Sequence, residues 1–262
     1  MLFRKRQSAA AILLFSSLSL HAQWMRYPSA GTPRLANGKP DLTAATPKLD
    51  GHPDLSGIWK IARPNTIPEG TASYASLQYW TKEGIDIQMQ PWAKALFEKR
   101  YGSFGVGRPS EHCLPHSIPD AMLVSNFKIK QDAGLTLFLY EEFMRFRQIF
   151  TDGRPFPKDP APAWFGYSTG KWEGDSFVVE TMGYNDLSWL DDAGHPHSEA
   201  MVTTERFQRR DFGHMEMELT VNDPKAYLKP WSVTMQFVLM PDTELIEDLC
   251  DNERDGTHMV GK

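Results

Sequence analysis

The densest group of chemically reactive side chains lies between residues 191 and 199. Its members are Asp191, Asp192, His195, His197 and Glu199. A histidine titrates near neutral pH, and a hydrogen-bonded carboxylate fixes its tautomer and raises its basicity. The segment therefore predicts an acid–base pair in which His195 or His197 activates water or protonates a leaving oxygen. Asp192 or Glu199 would be the partner carboxylate.

The same segment is also compatible with a metal site. A spacing of two residues places His195 and His197 on one side of an extended chain, and Pro196 between them favours that shape. With Asp191 or Glu199 as a further ligand, these donors suit zinc or iron. No further His-x-His pair or cysteine cluster accompanies them. We expect no cofactor, with zinc or iron as the alternative.

Two other interpretations of the segment need no chemistry. Gly194 and Pro196 can form a turn, and Ser198 and Glu199 can satisfy backbone groups, so the cluster would only stabilise a loop. The segment could also bind a ligand without transforming it.

Two arginines and a tyrosine are candidate binding groups. Arg145 and Arg147 project from the same face of a predicted strand because they lie two residues apart. If that face lines a barrel, they could bind an anionic or phenolate oxygen, but alternation alone allows a solvated face equally well. Tyr167 could likewise stabilise a departing phenolate. Most aromatic residues should be core, although a surplus near a cavity would suit a planar ligand.

These residues lie in a chain whose pattern is mostly strand and turn. Runs of alternating hydrophobicity are separated by turn residues, which indicates successive hairpins. The predicted strands are residues 56–60, 127–131, 135–141, 144–150, 165–172, 176–182, 201–209, 214–221, 231–239 and 244–250. One helix is predicted from Pro91 to about Tyr101, since proline suits a first turn and apolar residues follow at helical spacing.

The fold class follows from this order of elements. Hairpins with little helix between them either stack as a sandwich or close as a barrel. Gly57 and Trp59 form a Gly-x-Trp pair near the first strand, a lipocalin feature in which the tryptophan closes one barrel end and the glycine admits another chain. We therefore predict an all-β, antiparallel, up-and-down, lipocalin-like barrel with one short helix and an extended N-terminal segment.

The N-terminus indicates export. Arg4, Lys5 and Arg6 precede a short apolar run over residues 9–20 and the small residue Ala22, which is typical of a secretory signal; an uncleaved anchor is the alternative. We expect a signal peptide at 1–22, an extended or flexible segment at 23–52 and the barrel domain at 53–262. The mature protein should be periplasmic or extracellular, without a membrane partner.

Only Cys113 and Cys250 are present, and an oxidising compartment favours a disulfide between them. A reactive thiol or a metal ligand would be the competing role. The net charge of −5 is spread without a basic cluster, so we expect no nucleic-acid partner. A phosphate-binding loop, a Rossmann fingerprint and a Gly-x-Ser-x-Gly elbow are also missing from the sequence.

Six separated blocks resemble a large, mostly uncharacterised family of secreted bacterial proteins with a lipocalin-like β domain. The resemblance covers roughly residues 53–262, and its blocks are PDLSGIW, FRQIFTDGRP, GYSTGKWEGDSFVVET, GHPHSEAM, ERFQRRDFGH and PDTELIEDLC. The chain is more weakly similar to secreted enzymes that hydrolyse β-aryl ethers of lignin-derived dimers, which implies a substrate class but no catalytic motif.

The sequence thus predicts a secreted hydrolase of a small aromatic substrate, with cleavage of a lignin-type aryl ether as its most concrete form. The alternative is a non-catalytic, lipocalin-like carrier of an apolar or aromatic ligand. A carrier needs a cavity but no paired acid and base. The oligomeric state is left open.

Overall fold

The computed structural model describes residues 27–62, 76–77 and 87–250. The predicted signal peptide at 1–22 lies outside these residues. Within them, no helix is both long and apolar enough to span a bilayer.

The described elements are mainly strands. They are β1 (Lys48–Leu49), β2 (His52–Pro53), β3 (Gly57–Ile61), α1 (Pro91–Gly102), α2 (Asp120–Val124), β4 (Phe127–Asp132), β5 (Leu135–Tyr140), β6 (Arg145–Phe150), β7 (Tyr167–Glu173), β8 (Ser176–Met182), β9 (Val202–Arg209), β10 (His214–Asn222) and β11 (Trp231–Leu239). Short 3₁₀ turns cover Pro109–His112 and Glu142–Met144.

Strands β3 to β11 form a closed nine-stranded barrel, which confirms the all-β barrel. They pair in chain order, and β11 returns to pair with β3. The prediction that every pair is antiparallel is wrong at one place, because β6 and β7 run parallel. Side chains alternate along a strand in the same way whether its neighbour runs parallel or antiparallel. The sequence pattern therefore could not reveal that the connection over residues 151–166 makes β7 run parallel to β6.

The barrel interior is filled by side chains. Met215, Met217, Leu219 and Val221 of β10 are fully buried, and the apolar face of β11 is buried with them, as the alternation predicts. Large aromatic residues complete the core: Trp59, Phe127, Phe138, Phe177, Phe207 and Phe237. Because their rings pack on one another, for example Phe127 on Phe237 at 5.3 Å between centroids, this part of the interior is a packed core.

The glycine of the Gly-x-Trp pair lies against another strand, as predicted. Trp59 is fully buried and donates from Nε1 to the carbonyl of Leu55 at 2.9 Å. Gly57 has φ +134°, and a Cβ there would lie 2.5 Å from Cδ1 of Leu239 on β11. Glycine adopts this backbone conformation without strain and leaves room for that leucine.

The helix α1 is confirmed, but two other elements differ from the sequence prediction. The short helix α2 was not predicted, because its five residues give no periodic signal. Residues 244–250 form no strand. Since β3 already pairs with β11 and β4, this side of the barrel offers no free edge to a further strand.

Residues 27–52 pack on the barrel, and the described chain after β11 is tied to other segments. Residues 27–52 are extended but held in place; the N–H of Gly213 donates to the carbonyl of Leu42 at 2.7 Å. Arg34 forms an ion pair with Asp242 at 2.7 Å. The predicted disulfide between Cys113 and Cys250 is confirmed, and it links the chain that precedes α2 to the chain that follows β11.

Candidate functional site

His195 and Asp191 form a buried dyad in the loop between β8 and β9. Nδ1 of His195 lies 2.6 Å from Oδ2 of Asp191, and the two residues are 2% and 0% exposed. The carboxylate also accepts backbone N–H bonds from Leu77 at 2.7 Å and from Gly194 and His195 at 2.9 Å. These bonds fix the carboxylate, which in turn fixes the imidazole.

The electrostatics of the dyad favour an ionised carboxylate. Burial alone would raise the pKa of Asp191, but His195 and the backbone N–H groups outweigh it and hold the pKa below its ordinary value. An ionised Asp191 accepts the Nδ1 proton, so Nε2 of a neutral His195 carries the lone pair. No described residue forms a hydrogen bond with Nε2 of His195.

The carboxylate that pairs with His195 is neither of the two predicted partners, Asp192 and Glu199. Glu199 is exposed and pairs with Lys225 at 2.5 Å, and Asp192 faces a different histidine. Asp191 reaches His195 because the turn between them brings the side chain of the first residue back to the N–H and ring of the fifth. The sequence could not separate two adjacent aspartates.

His197 is held in a different way. Its Nε2 lies 2.7 Å from Oγ of Ser188, and Nδ1 lies 3.1 Å from the carbonyl of Ser198. Burial lowers the pKa of His197, which favours the neutral ring. His195 and His197 thus have separate partners, and within the described chain Asp191 does not complete a three-ligand metal group with them.

A third buried histidine, His116, was not predicted. Its Nδ1 lies 2.5 Å from Asp120, the first residue of α2, and its Nε2 lies 3.1 Å from Glu142 after β5. Burial alone would lower the pKa of His116, but Asp120 and Glu142 raise it to about 11. Burial raises the pKa of Asp120 to about 7 despite the neighbouring imidazole. The only sequence signal is the spacing of four between His116 and Asp120.

Helix α1 covers the dyad. The ring of Phe97 lies 4.2 Å from that of His195, and Nη1 of Arg100 lies 3.4 Å from the carbonyl of Gly194. The Arg100 guanidinium also lies 4.2 Å from the ring centre of Trp189. Burial lowers the pKa of Arg100 to about 10, so it remains a cation at neutral pH. The Phe97 ring and the Arg100 cation therefore adjoin the dyad, Trp189 packs behind Arg100, and none of the three was singled out with the dyad from sequence.

Of the two predicted arginines, only Arg147 lies inside the barrel. It is 2% exposed and forms two hydrogen bonds with Glu205, one of 3.0 Å, and further bonds with Ser168 and Thr181. Arg145 is exposed at the start of β6. Both project from one face, but Arg147 is already paired with a buried carboxylate and is not a free anion site.

A cleft of about 570 Å³ opens beside these arginines. It exists because β6 and β7 share only two paired positions, Ile149–Ser168 and Phe150–Thr169, and separate beyond them. Its lining includes Arg145, Phe146, Arg147, Trp164, Phe165 and Tyr167. The structure thus brings Arg145, Arg147 and Tyr167 together, but no residue of the 191–199 segment lines this cleft.

No protein-family model matches this chain, and no curated protein matches it significantly.

Proposed function

We propose that the protein is a hydrolase of a small aromatic molecule in which His195 is the acid–base residue. One observation carries the proposal. Of the three buried described histidines, His116 contacts carboxylates on both nitrogens and His197 contacts oxygens on both. His195 alone has an orienting carboxylate on one nitrogen and no described partner on the other. That is the arrangement a general base needs.

The chemical steps follow from this arrangement. Nε2 of His195 accepts a proton from water while the water oxygen attacks the carbon of the bond to be cleaved. The carbon–oxygen bond breaks, and its electron pair leaves with the aryl oxygen. The imidazolium, stabilised by Asp191, then donates its proton to that oxygen. Arg100 would stabilise the negative charge on the departing phenolate.

The proposed substrate class is an aryl ether of the lignin-dimer type. Phe97, whose ring lies 4.2 Å from that of His195, supplies an aromatic side chain beside the dyad against which a planar ring can pack. The weaker resemblance to secreted β-aryl-ether hydrolases suggests the same class. An aryl ether also suits the catalytic groups, because its leaving group is a phenolate that one imidazolium can protonate.

A carrier function is the second candidate, and the cleft between β6 and β7 favours it. Pockets of 300–1,000 Å³ commonly hold drug-sized ligands, and this cleft of about 570 Å³ is lined by aromatic rings. It contains no residue of the dyad, so a ligand bound there would remain unchanged.

Incubation with a panel of aryl-ether dimers, followed by mass spectrometry, distinguishes the two functions. The hydrolase releases a phenol, and His195→Gln abolishes the release. His214→Gln is the matched control, because His214 also pairs with an aspartate, Asp211, but at the surface. Recovery of only unaltered, bound dimer would instead establish the carrier.

We also propose that the protein is exported, which the disulfide supports. Expression of the full chain in a bacterium, with N-terminal sequencing of the periplasmic product, tests this. The mature chain should begin near Gln23. An intact N-terminus on a cytoplasmic product would contradict export.

A further inference from the structure

The carboxylates around His116 form a buried cluster with unsatisfied oxygens. Asp120 is 3% exposed, and its Oδ1 has no hydrogen-bond partner among the described residues. Oδ1 of Asp192 is also buried without a hydrogen bond, and its nearest described cation, Arg108, is 3.6 Å away. A buried polar oxygen without a donor destabilises a fold, and more so when it is charged. The unpaired oxygens therefore point to a missing positive partner.

The arrangement of the cluster agrees. His116 contacts two carboxylates, Asp120 and Glu142. Asp192 adds a third, and its other partner, Arg108, has a side chain that is 35% exposed. Three carboxylates thus adjoin one imidazole in a poorly solvated place, where a bound cation would stabilise them.

We propose that His116, Asp120 and Asp192 form a binding site for one divalent transition-metal cation of the zinc type. Each residue offers one ligand atom, and these atoms lie within 4.8 Å of one another. One imidazole nitrogen and two carboxylate oxygens suit zinc better than calcium, which prefers oxygen ligands alone.

Binding needs only a local exchange. The cation replaces the proton on one nitrogen of His116, and that proton is released to solvent. The other nitrogen keeps its carboxylate hydrogen bond, which orients the ring as in other metal-bound histidines. This site is separate from the dyad and independent of the proposed function, since binding is measured without turnover.

Zinc titration of the untagged, disulfide-bonded mature protein, after chelator treatment and chelator removal, tests the site. We expect one Zn²⁺ per chain with micromolar or tighter affinity, a higher unfolding temperature, and nitrogen and oxygen ligands without sulfur by X-ray absorption. Asp192→Asn should weaken binding at least tenfold. Its side chain is 21% exposed, so the fold should tolerate the change. His214→Gln, at a surface His–Asp pair, should bind zinc as the wild type does.

Asp120→Asn gives a second, independent readout. It should also weaken zinc binding at least tenfold, and zinc should raise its unfolding temperature less than it raises that of the wild type. The proposal is overturned if the wild type binds no stoichiometric zinc. It is equally overturned if Asp192→Asn and Asp120→Asn both bind with wild-type affinity.

Discussion

At the scale of single residues, the hydrogen-bond partners of a buried histidine decide what it can do chemically. His195 and His197 were both candidates, and only their hydrogen bonds separate an oriented dyad from a fully satisfied imidazole. The His116 cluster escaped prediction because its members come from three distant segments, near residues 116–120, 142 and 192. Such long-range contacts cannot be predicted from residue types and local spacing.

The depressed pKa of His197 makes stability depend on pH. The ordinary pKa is 6.5, and burial lowers it; Asp223 and Asp186 oppose that shift, Arg100 supports it, and the Tyr184 ring packs nearby. The unfolded chain therefore binds a proton more readily than the folded one. The stabilising contribution is complete above pH 6.5 and is lost as the pH falls through the folded pKa.

Chemical unfolding of the wild type and of His197→Gln between pH 8 and about pH 5 measures this contribution. The wild type should lose more stability on acidification than the variant does. Equal losses in both proteins would show that His197 does not titrate as its burial requires.

The Arg147–Glu205 pair should matter far more than a surface ion pair. Its side chains are 1% and 0% exposed, so Arg147→Met leaves an uncompensated buried carboxylate and should lower the free energy of unfolding by about 3–5 kcal/mol. Arg206→Met breaks the half-exposed pair with Glu173 and should lower it by under about 1 kcal/mol. Urea unfolding compares the two; similar losses would count against this explanation.

At the scale of elements, strands were predicted best where turns and alternation agree. Strands β8 and β11 have the same bounds in the sequence prediction and in the structure. The parallel β6–β7 pair was missed because orientation depends on a long connection, and the false strand at 244–250 was excluded only by closure of the barrel. The cleft follows from that parallel pair, so it could not be predicted either.

The close contact between α1 and the dyad loop gives an element-scale prediction. Gly194 has φ +102°, and a Cβ there would lie 2.4 Å from Cβ of Arg100. Gly194→Ala should therefore displace α1, lower the unfolding temperature and reduce hydrolysis together. Gly153→Ala is the control, since Gly153 has φ +78° with no atom within 4 Å, and it should lower stability by only about 1–2 kcal/mol. A Gly194→Ala variant that matches this control in both assays would show that the contact is unimportant.

At the scale of the whole molecule, a closed barrel holds the site while the disulfide links two outer segments. Cys113 lies shortly before His116, and Cys250 is 137 residues further along the chain. A loop of this length should stabilise the fold by up to about 4–5 kcal/mol through chain entropy.

Cys113→Ser/Cys250→Ser should therefore lower the free energy of unfolding by about 2–5 kcal/mol. Because β3 to β11 close without the bridge, the far-ultraviolet circular dichroism of the β-sheet should persist at 25 °C. Denaturant unfolding under non-reducing conditions checks the first point. A double variant without folded β-structure would mean that the barrel depends on its covalent link.

The most direct test of the account is a double-mutant cycle on the dyad, measured as kcat/KM for phenol release across pH. We predict that His195→Gln lowers kcat/KM at least about 10²-fold, and that Asp191→Asn lowers it and shifts the pH profile. The double variant should be no worse than His195→Gln, because Asp191 acts through the imidazole. Wild-type turnover in folded His195→Gln would contradict the assignment of this histidine as the acid–base residue.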